Sequence, residues 1–390
     1  MRIPFGTISI TQKAKDLVNS ALDSGRVSNG KYVREFEVGF AKLVGTKEAI
    51  ALSSGTDALM VALSVLYDFG AQRGDEVIVP ALSFVATGNA VLHAGFKPVF
   101  VDVERNTFNI NPELIEGLVT PRTRAIMPVH LMGKPADMDT ILEIAKKHNL
   151  YVIEDAAEAH GAVYKGKNVG TIGDMAGFST YVAHLVSTVE GGVMTTNRQD
   201  FADIARGLRN HGKFCHCDVC TSNIKEGHCP NRFVFSRIGY SSKMNDLEGA
   251  VGLGSLDLYQ DILEKRRKNL RSFIEKFEKF KPYLTTFREE EHEKIGPHAF
   301  PMIVQEGAPF SRGELYEYLE ANDIEARQLF SSMPTQCAGF AFLGYKRGDF
   351  PNAEFIGNQG LHIGVHQDIG EEHIDYFIQK IEEFLRTHIQ

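Results

Sequence analysis

"DMDTILEIAKKHNLYVIEDAA", Asp137–Ala157, sets the reading of the whole chain. Its first part reads as a helix, with Asp137 and Asp139 near the positive end where carboxylates are favoured. Its second part, "LYVIEDAA" (150–157), is a short, branched, mostly continuous apolar run. Such a run suits a strand of a parallel sheet covered on both faces. Working outward, the same type of run recurs in "EAIALSS" (48–54), "DEVIVPA" (75–81), "KPVFVDV" (97–103) and "RAIMPVH" (124–130). Helical stretches separate them, among them "TDALMVALSVLYDF" (56–69). Repeated units of this kind predict an α/β fold built on a doubly wound, mostly parallel sheet. Ligands of such sheets bind beyond the carboxyl ends of the strands. Ser54, Gly55, Thr56, Asp155 and His184 all fall at such ends.

The style changes later. "LDLYQDILEKRRKNLRSFIEKFEKF" (256–280) reads as a long helix linking two domains, with the "EKRRK" run (264–268) as a solvated face. A large domain is therefore expected over 1–255 and a smaller α+β domain over 256–390. At 390 residues the chain exceeds what one core usually serves. A net charge of −8 with both signs interspersed argues against a general nucleic-acid or anionic-membrane binder. No segment approaches the roughly 20 consecutive apolar residues of a membrane span. The opening "MRIPFGTISITQ" has no signal-peptide pattern, and the expectation is a cytoplasmic protein.

Several residues invite a chemical reading. "SSGTDAL" (53–59) puts Gly55 and Thr56 at a helix start, where free amides and the helix dipole attract an anion. Phe84 lies just past a strand, where a flat ring can stack on a heteroaromatic ligand, although phenylalanine is more often core. Asp155 ends an apolar strand, and a carboxylate there needs donors or a positive partner. It reads as a helix cap, a structural ion pair, or the counter-ion of a protonated ring nitrogen. Ser179 and Tyr181 are consistent with plain alternate-face strand positions. "CHCDVCTSNIKEGHC" packs Cys215, Cys217, Cys220 and Cys229 into fifteen residues. Zinc or an iron–sulfur cluster would satisfy four thiols so placed; a reduced cysteine-rich loop is the alternative. Cys337 stands alone and reads as structural. His130, His160 and His211 read as satisfied histidines near the site.

Taken in order, "GRVSNGKYVREFEVGFAKLVG", "GTDAL", "PALSFVATGNAVLHAG", "PVFVDV", "MPVHLMGKPADMD", "VIEDAAEAHGA", "FSTYVAHLVSTVEGG" and "LRNHG" resemble the DegT/DnrJ/EryC1/StrS family of vitamin B6-dependent nucleotide-sugar enzymes. The resemblance spans nearly the whole chain and is densest over 25–255. It implies the aspartate-aminotransferase-like fold (PLP fold type I), and a homodimer with active sites at the subunit interface. By position it assigns Gly55, Thr56 and Ser179 to the cofactor phosphate, Phe84 to the pyridine face and Asp155 to the ring nitrogen. Glu158 stands near the ring hydroxyl, where the transaminases usually carry Gln. An acid there must be protonated or share a proton with the ring oxygen. The family's "GYN" is "GYSS" here, which puts the phosphate role of Ser241 in doubt.

His184 occupies the place of the lysine that carries the cofactor. Imidazole cannot hold the aldehyde cofactor covalently, but near neutral pH it is a competent general base. "STYVAH", the acidic Glu158 and "RQLFSSMPTQCAGFAF" (327–342) resemble the 3-dehydratase branch. The resemblance then implies an enzyme starting from pyridoxamine phosphate that removes the C3 hydroxyl of a nucleotide-linked 4-keto-6-deoxyhexose. The rivals are an aminotransferase with an altered base, including one in which lysine was replaced by histidine, and a catalytically silent cofactor- or sugar-binding homologue. One branch of the family carries a [2Fe–2S] cluster on a similar cysteine run plus an upstream cysteine, where this chain has Ala157. It works with a reductase; another branch needs no cluster and recharges its cofactor with glutamate.

Overall fold

The computed structural model of the protein describes residues 1–214 and 233–389. Seven strands form the larger sheet: β1 (Glu48–Leu52), β2 (Glu76–Pro80), β3 (Lys97–Val101), β4 (Thr123–Ile126), β5 (Tyr151–Asp155), β6 (Met175–Ser179) and β7 (Gly192–Thr196). Their order is β1-β7-β6-β5-β4-β2-β3. Strands β3, β2, β4, β5 and β6 pair in parallel, whereas β7 runs antiparallel to both of its neighbours. The continuous apolar runs are explained by what each face meets. Val77 and Val79 enter one core cluster while Ile78, between them, enters another. In β1, Ile50 and Leu52 separate in the same way from Ala49 and Ala51. Side chains alternate across a strand, so a sheet with a core on each side has no polar face to show.

Helices cover both faces. In chain order they begin with α1 (Gln12–Ser24), α2 (Lys31–Val44), α3 (Gly55–Val65), α4 (Ala86–His93), α5 (Met138–His148), α6 (Gln199–Arg209) and α7 (Asp246–Phe277). Asp137 caps α5, accepting from the Thr140 amide. Ser54 caps α3 in the same way, accepting from the Asp57 amide at 3.0 Å.

Helix α7 starts ten residues before the stretch read as helical (246 against 256). Asn245 and Glu248 form a capping box there. Glycines in "EGAVGLG" disfavour a helix by propensity, and packing overrides them. A Cβ on Gly249 would come within 2.7 Å of the Val33 amide nitrogen, and one on Gly252 within 2.7 Å of the Phe36 ring. Glycine lets α2 and α7 approach backbone to side chain. Leu256 thus lies inside one continuous helix.

The "EKRRK" run corrects the reading of a solvated face. Arg266 is 2% exposed. Its neighbours on α7, Ile262 and Leu263, pack on Leu185, so the helix turns this side inward. A second sheet, β8 (Leu284–Thr285), β9 (Ala299–Val304), β10 (Ala326–Gln328) and β11 (Gly360–Gly364), has the order β8-β9-β11-β10 and is antiparallel throughout. The chain's first residues join it: Ile3 bridges Ile324, and Glu325 accepts from the Phe5 amide at 2.9 Å. No helix among the described residues is long and apolar enough to cross a membrane.

Candidate active site

A cavity of about 310 Å³ opens at the carboxyl ends of β5 and β6. Gly55, Thr56, Phe84, Asp155, Glu158, Ser179 and His184 all line it. Ser241 does not; it is exposed on the surface, where Lys243 Nζ donates to its hydroxyl at 3.3 Å. The antiparallel course of β7 explains how His184 arrives. Ser179 and Gly192 are paired residues of adjacent strands, so the intervening segment leaves and re-enters the sheet at one place, beside the end of β5.

One end of the cavity is built for an anion. The amides of Gly55 and Thr56 lie in the first turn of α3, where a helix offers no internal partner. Ser179 faces them closely: a Cβ on Gly55 would stand 2.9 Å from the Ser179 Cβ. Only glycine leaves the space between helix and strand open.

Asp155 forms the floor and is 4% exposed. Thr87 Oγ1 donates to its Oδ2 at 2.7 Å, and the Ala157 amide to its Oδ1 at 3.3 Å. Thr87 is itself within 2.7 Å of the Ser83 hydroxyl. Burial pushes the Asp155 carboxyl up, against the pull of Thr87. A protonated ring nitrogen would relieve that cost. Phe84 stands over the same space, 56% exposed, with Phe330 beside it at 5.5 Å between ring centroids. Its exposure rules out the core role that composition favours.

Glu158 Oε2 accepts from the Met132 amide at 2.8 Å, and His298 Nε2 stands 3.4 Å from Oε1. Burial, together with the nearby Asp155 charge, raises the Glu158 carboxyl to about 8. At that value the carboxyl carries its proton at neutral pH. His184 presents one flank to the cavity and stacks with the other on His298, at 5.0 Å and 29° between planes. His160 lies 5.9 Å away and donates from Nε2 to the Ser179 carbonyl at 2.7 Å. The Nδ1 of His184 is buried without a partner. Burial, and then repulsion from His160 and Arg266, holds His184 well below the ordinary histidine value. No lysine is among the described residues lining the cavity.

Sequence reasoning did not find Thr87, His298 or Arg266. Thr87 lies three residues beyond Phe84, and hydroxyls there give a local signal. His298 precedes β9, more than a hundred residues from His184, and no pattern in the chain links the two. His130 is satisfied, as expected: it receives the Ala136 amide on Nδ1 and donates to Glu154 at 3.1 Å. Cys215, Cys217, Cys220 and Cys229 lie outside the described residues. Among the described residues no group of histidines, cysteines and carboxylates could hold a metal.

The amides at α3, the exposed ring of Phe84 and the under-partnered Asp155 together fit a phosphorylated, protonated heteroaromatic cofactor. Comparison with known proteins gives the same answer. The model of the DegT/DnrJ/EryC1/StrS aminotransferase family matches residues 9–382. GDP-perosamine synthase of Caulobacter vibrioides is 36% identical, with 98% of each chain covered. The dTDP-4-dehydro-2,6-dideoxy-D-glucose 3-dehydratase of Saccharopolyspora spinosa is 34% identical over 98% of this chain and 86% of its own. Among solved structures, E. coli GDP-4-keto-6-deoxy-D-mannose-3-dehydratase with bound hydrated PLP superposes with a TM-score of 0.87 at 29% identity. That match covers 97% of this chain and 100% of the other. The architecture is fold type I of the pyridoxal-phosphate enzymes.

Proposed function

The chain belongs to the DegT/DnrJ/EryC1/StrS aminotransferase family, and from that premise we propose that it is a pyridoxamine-phosphate-dependent 3-dehydratase of a nucleotide-linked 4-keto-6-deoxyhexose. The observation that carries this reading is the pair of neutral groups in the cavity. An imidazole stands where the family has its lysine, and Glu158 across from it keeps its own proton.

When bound, the cofactor supplies a primary amine and an electron-withdrawing ring. The amides of Gly55 and Thr56 and the hydroxyl of Ser179 hold its phosphate. Phe84 covers the ring and excludes water from it. Asp155, braced by Thr87, keeps the proton on the ring nitrogen. Glu158 presents its carboxyl proton toward the ring hydroxyl, so two anions never meet there. His184 accepts the proton whose removal starts the loss of the C3 hydroxyl. Its Nδ1 is buried, which leaves Nε2 for that task. A neutral imidazole has its lone pair free at physiological pH, whereas an imidazolium has none.

We place the enzyme in the cytoplasm as a homodimer, with the exposed Ser241 turned to the second subunit. A second reading, an aminotransferase with histidine as its base, draws support from the identity with GDP-perosamine synthase. The test is protein loaded with pyridoxamine phosphate and offered GDP-, CDP- and dTDP-linked 4-keto-6-deoxysugars, with and without glutamate. Products are followed by mass spectrometry. Loss of the C3 hydroxyl without retained nitrogen is expected. An accumulating amino sugar overturns the dehydratase in favour of the second reading, and stoichiometric binding without turnover leaves a silent homologue. Glutamate-dependent turnover assigns the cluster-free cycle. A single turnover despite glutamate points to a missing reductase and a redox cluster at Cys215, Cys217, Cys220 and Cys229, a role zinc cannot fill.

A further inference from the structure

The most conspicuous buried charge of the molecule has no role in the chemistry above. Arg266 is 2% exposed, yet it makes no ion pair among the described residues. Its guanidinium donates from Nε to Gln367 Oε1 at 3.1 Å and from one terminal nitrogen to the Ala183 carbonyl at 3.3 Å. Both acceptors are neutral. Asp368 is the acid that acts on it, and Asp368 is exposed. Desolvating a cation without a counter-ion is costly, and a chain that needed only a filler at this place would be better served by an apolar side chain. By contrast, the other buried cations Lys134 and Arg209 each have a carboxylate partner, Glu293 and Glu37.

The position of Arg266 supplies the reason. The carbonyl it holds is that of Ala183, the residue before His184. Helix α7 grips the same loop twice more, through the Ser255 hydroxyl, which accepts from the Ser187 amide at 2.9 Å, and through Leu185 packed on Ile262 and Leu263. We propose that Arg266 is a positioning residue for the dehydration, a permanent cation seated behind the loop that carries His184 and holding that imidazole in its neutral, proton-accepting form. The inference rests on the function proposed above.

The groups facing His184 can be weighed element by element. From its own loop comes the Tyr181 ring, edge-on at 6.4 Å. His160 approaches from the segment after β5, and His298 from the start of β9. His362, on β11, acts on His298 in turn. Burial takes His160 down to about 4 and His362 to about 3, so these rings are neutral. Across the cavity lie Asp155, Glu158 and Glu190. Carboxylates would favour an imidazolium, but burial raises Glu158 to about 8 and pushes Asp155 up as well, and Glu190 is exposed to screening solvent. Arg266 is the opposing charge; burial lowers it to about 10, which leaves it a cation at neutral pH. Its repulsion reaches His160, His184, His298 and His366 alike.

The test compares Arg266→Met and Arg266→Lys with the parent. The His184 ring is titrated by carbon-13 NMR in cofactor-free protein, its signal assigned from the spectrum of His184→Asn. In the methionine variant the ring should begin to protonate at a pH higher by about one unit. The lysine variant, which keeps the charge, should stay close to the parent. The acid limb of kcat for dehydration should move up with the ring in the methionine variant only. Should that variant fail to fold, Arg266→Gln retains a donor for the Ala183 carbonyl, removes the charge and serves the same titration. A ring that protonates at the same pH in parent and charge-free variant overturns the inference. The NMR reading needs no turnover: a shifted titration without any dehydration would sink the proposed function alone, and dehydration with an unshifted titration would sink the role of Arg266 alone.

Discussion

Glu154 and Asp155 are neighbours on one strand, and they meet opposite fates. Alternation sends Glu154 to one face of the sheet, where its carboxylate receives the amides of Gly170, Ile172 and Gly173 at 2.7–2.9 Å and the His130 ring at 3.1 Å. Asp155, on the other face, has one short hydrogen bond from Thr87 and one long one from Ala157. Of the residues lining the cavity around it, His184 buries an Nδ1 that has no partner, as do His160 and His298 packed behind it. Saturated polar groups stabilise a fold, and unsaturated ones wait for a ligand. The contrast separates scaffold from site on a single strand.

The largest effect should come from the site. His184→Asn keeps the shape of the loop and removes the base, so kcat for dehydration should fall by about 10²–10⁴-fold, while absorbance still reports bound cofactor. A loss within tenfold would mean that another group takes the proton. The scaffold side comes next. Glu154→Ala strands buried donors and should cost on the order of 3–5 kcal/mol in denaturant unfolding. Asp155→Ala should cost the cofactor-free protein much less, yet abolish tight cofactor binding. Equal losses of stability would erase the contrast.

Protonation sharpens it further. In the fold Glu158 keeps its proton up to about pH 8, against an ordinary value of 4.5. Between those values the unfolded chain binds fewer protons than the folded one. Stability of the cofactor-free protein should therefore be fully present below the lower value and fall as pH rises toward the upper one, by up to a few kcal/mol. Glu158→Gln should flatten that slope in thermal or urea unfolding; an unchanged slope would place the responsible group elsewhere. The smallest expected change is Thr87→Val, which removes one hydrogen bond to Asp155 and should weaken cofactor binding by about 1 kcal/mol, roughly fivefold, read by equilibrium dialysis.

Much of this was legible in the chain because a doubly covered parallel sheet writes itself as unbroken apolar runs. Residues at the ends of those runs then mark the site without further information. Gly55, Thr56, Asp155 and His184 were placed that way, beyond the ends of strands, whereas the role of Ser179 rests on the family resemblance. What stayed hidden depends on contacts between distant segments. The glycines of α7 disfavour a helix by propensity, and only the packing of α2 against them accounts for it. Arg266 is one of four basic residues in "EKRRK" (264–268), and local charge does not reveal which of them turns inward. His298 and His362 reach the site from the second sheet, and neither carries a local motif. The reversed direction of β7 is likewise a property of pairing, invisible in a run of apolar residues.

That reversal has a consequence for how such a protein can change. Because β6 and β7 pair in register from Met175 with Thr196 to Ser179 with Gly192, the loop between them is a closed handle fastened at both ends to the same piece of sheet. Its length and its exit points are set by the pairing, and α7 steadies its middle. The side chain at its tip is therefore an exchangeable tool in a fixed holder. Exchanging the side chain there asks nothing new of the framework that holds it.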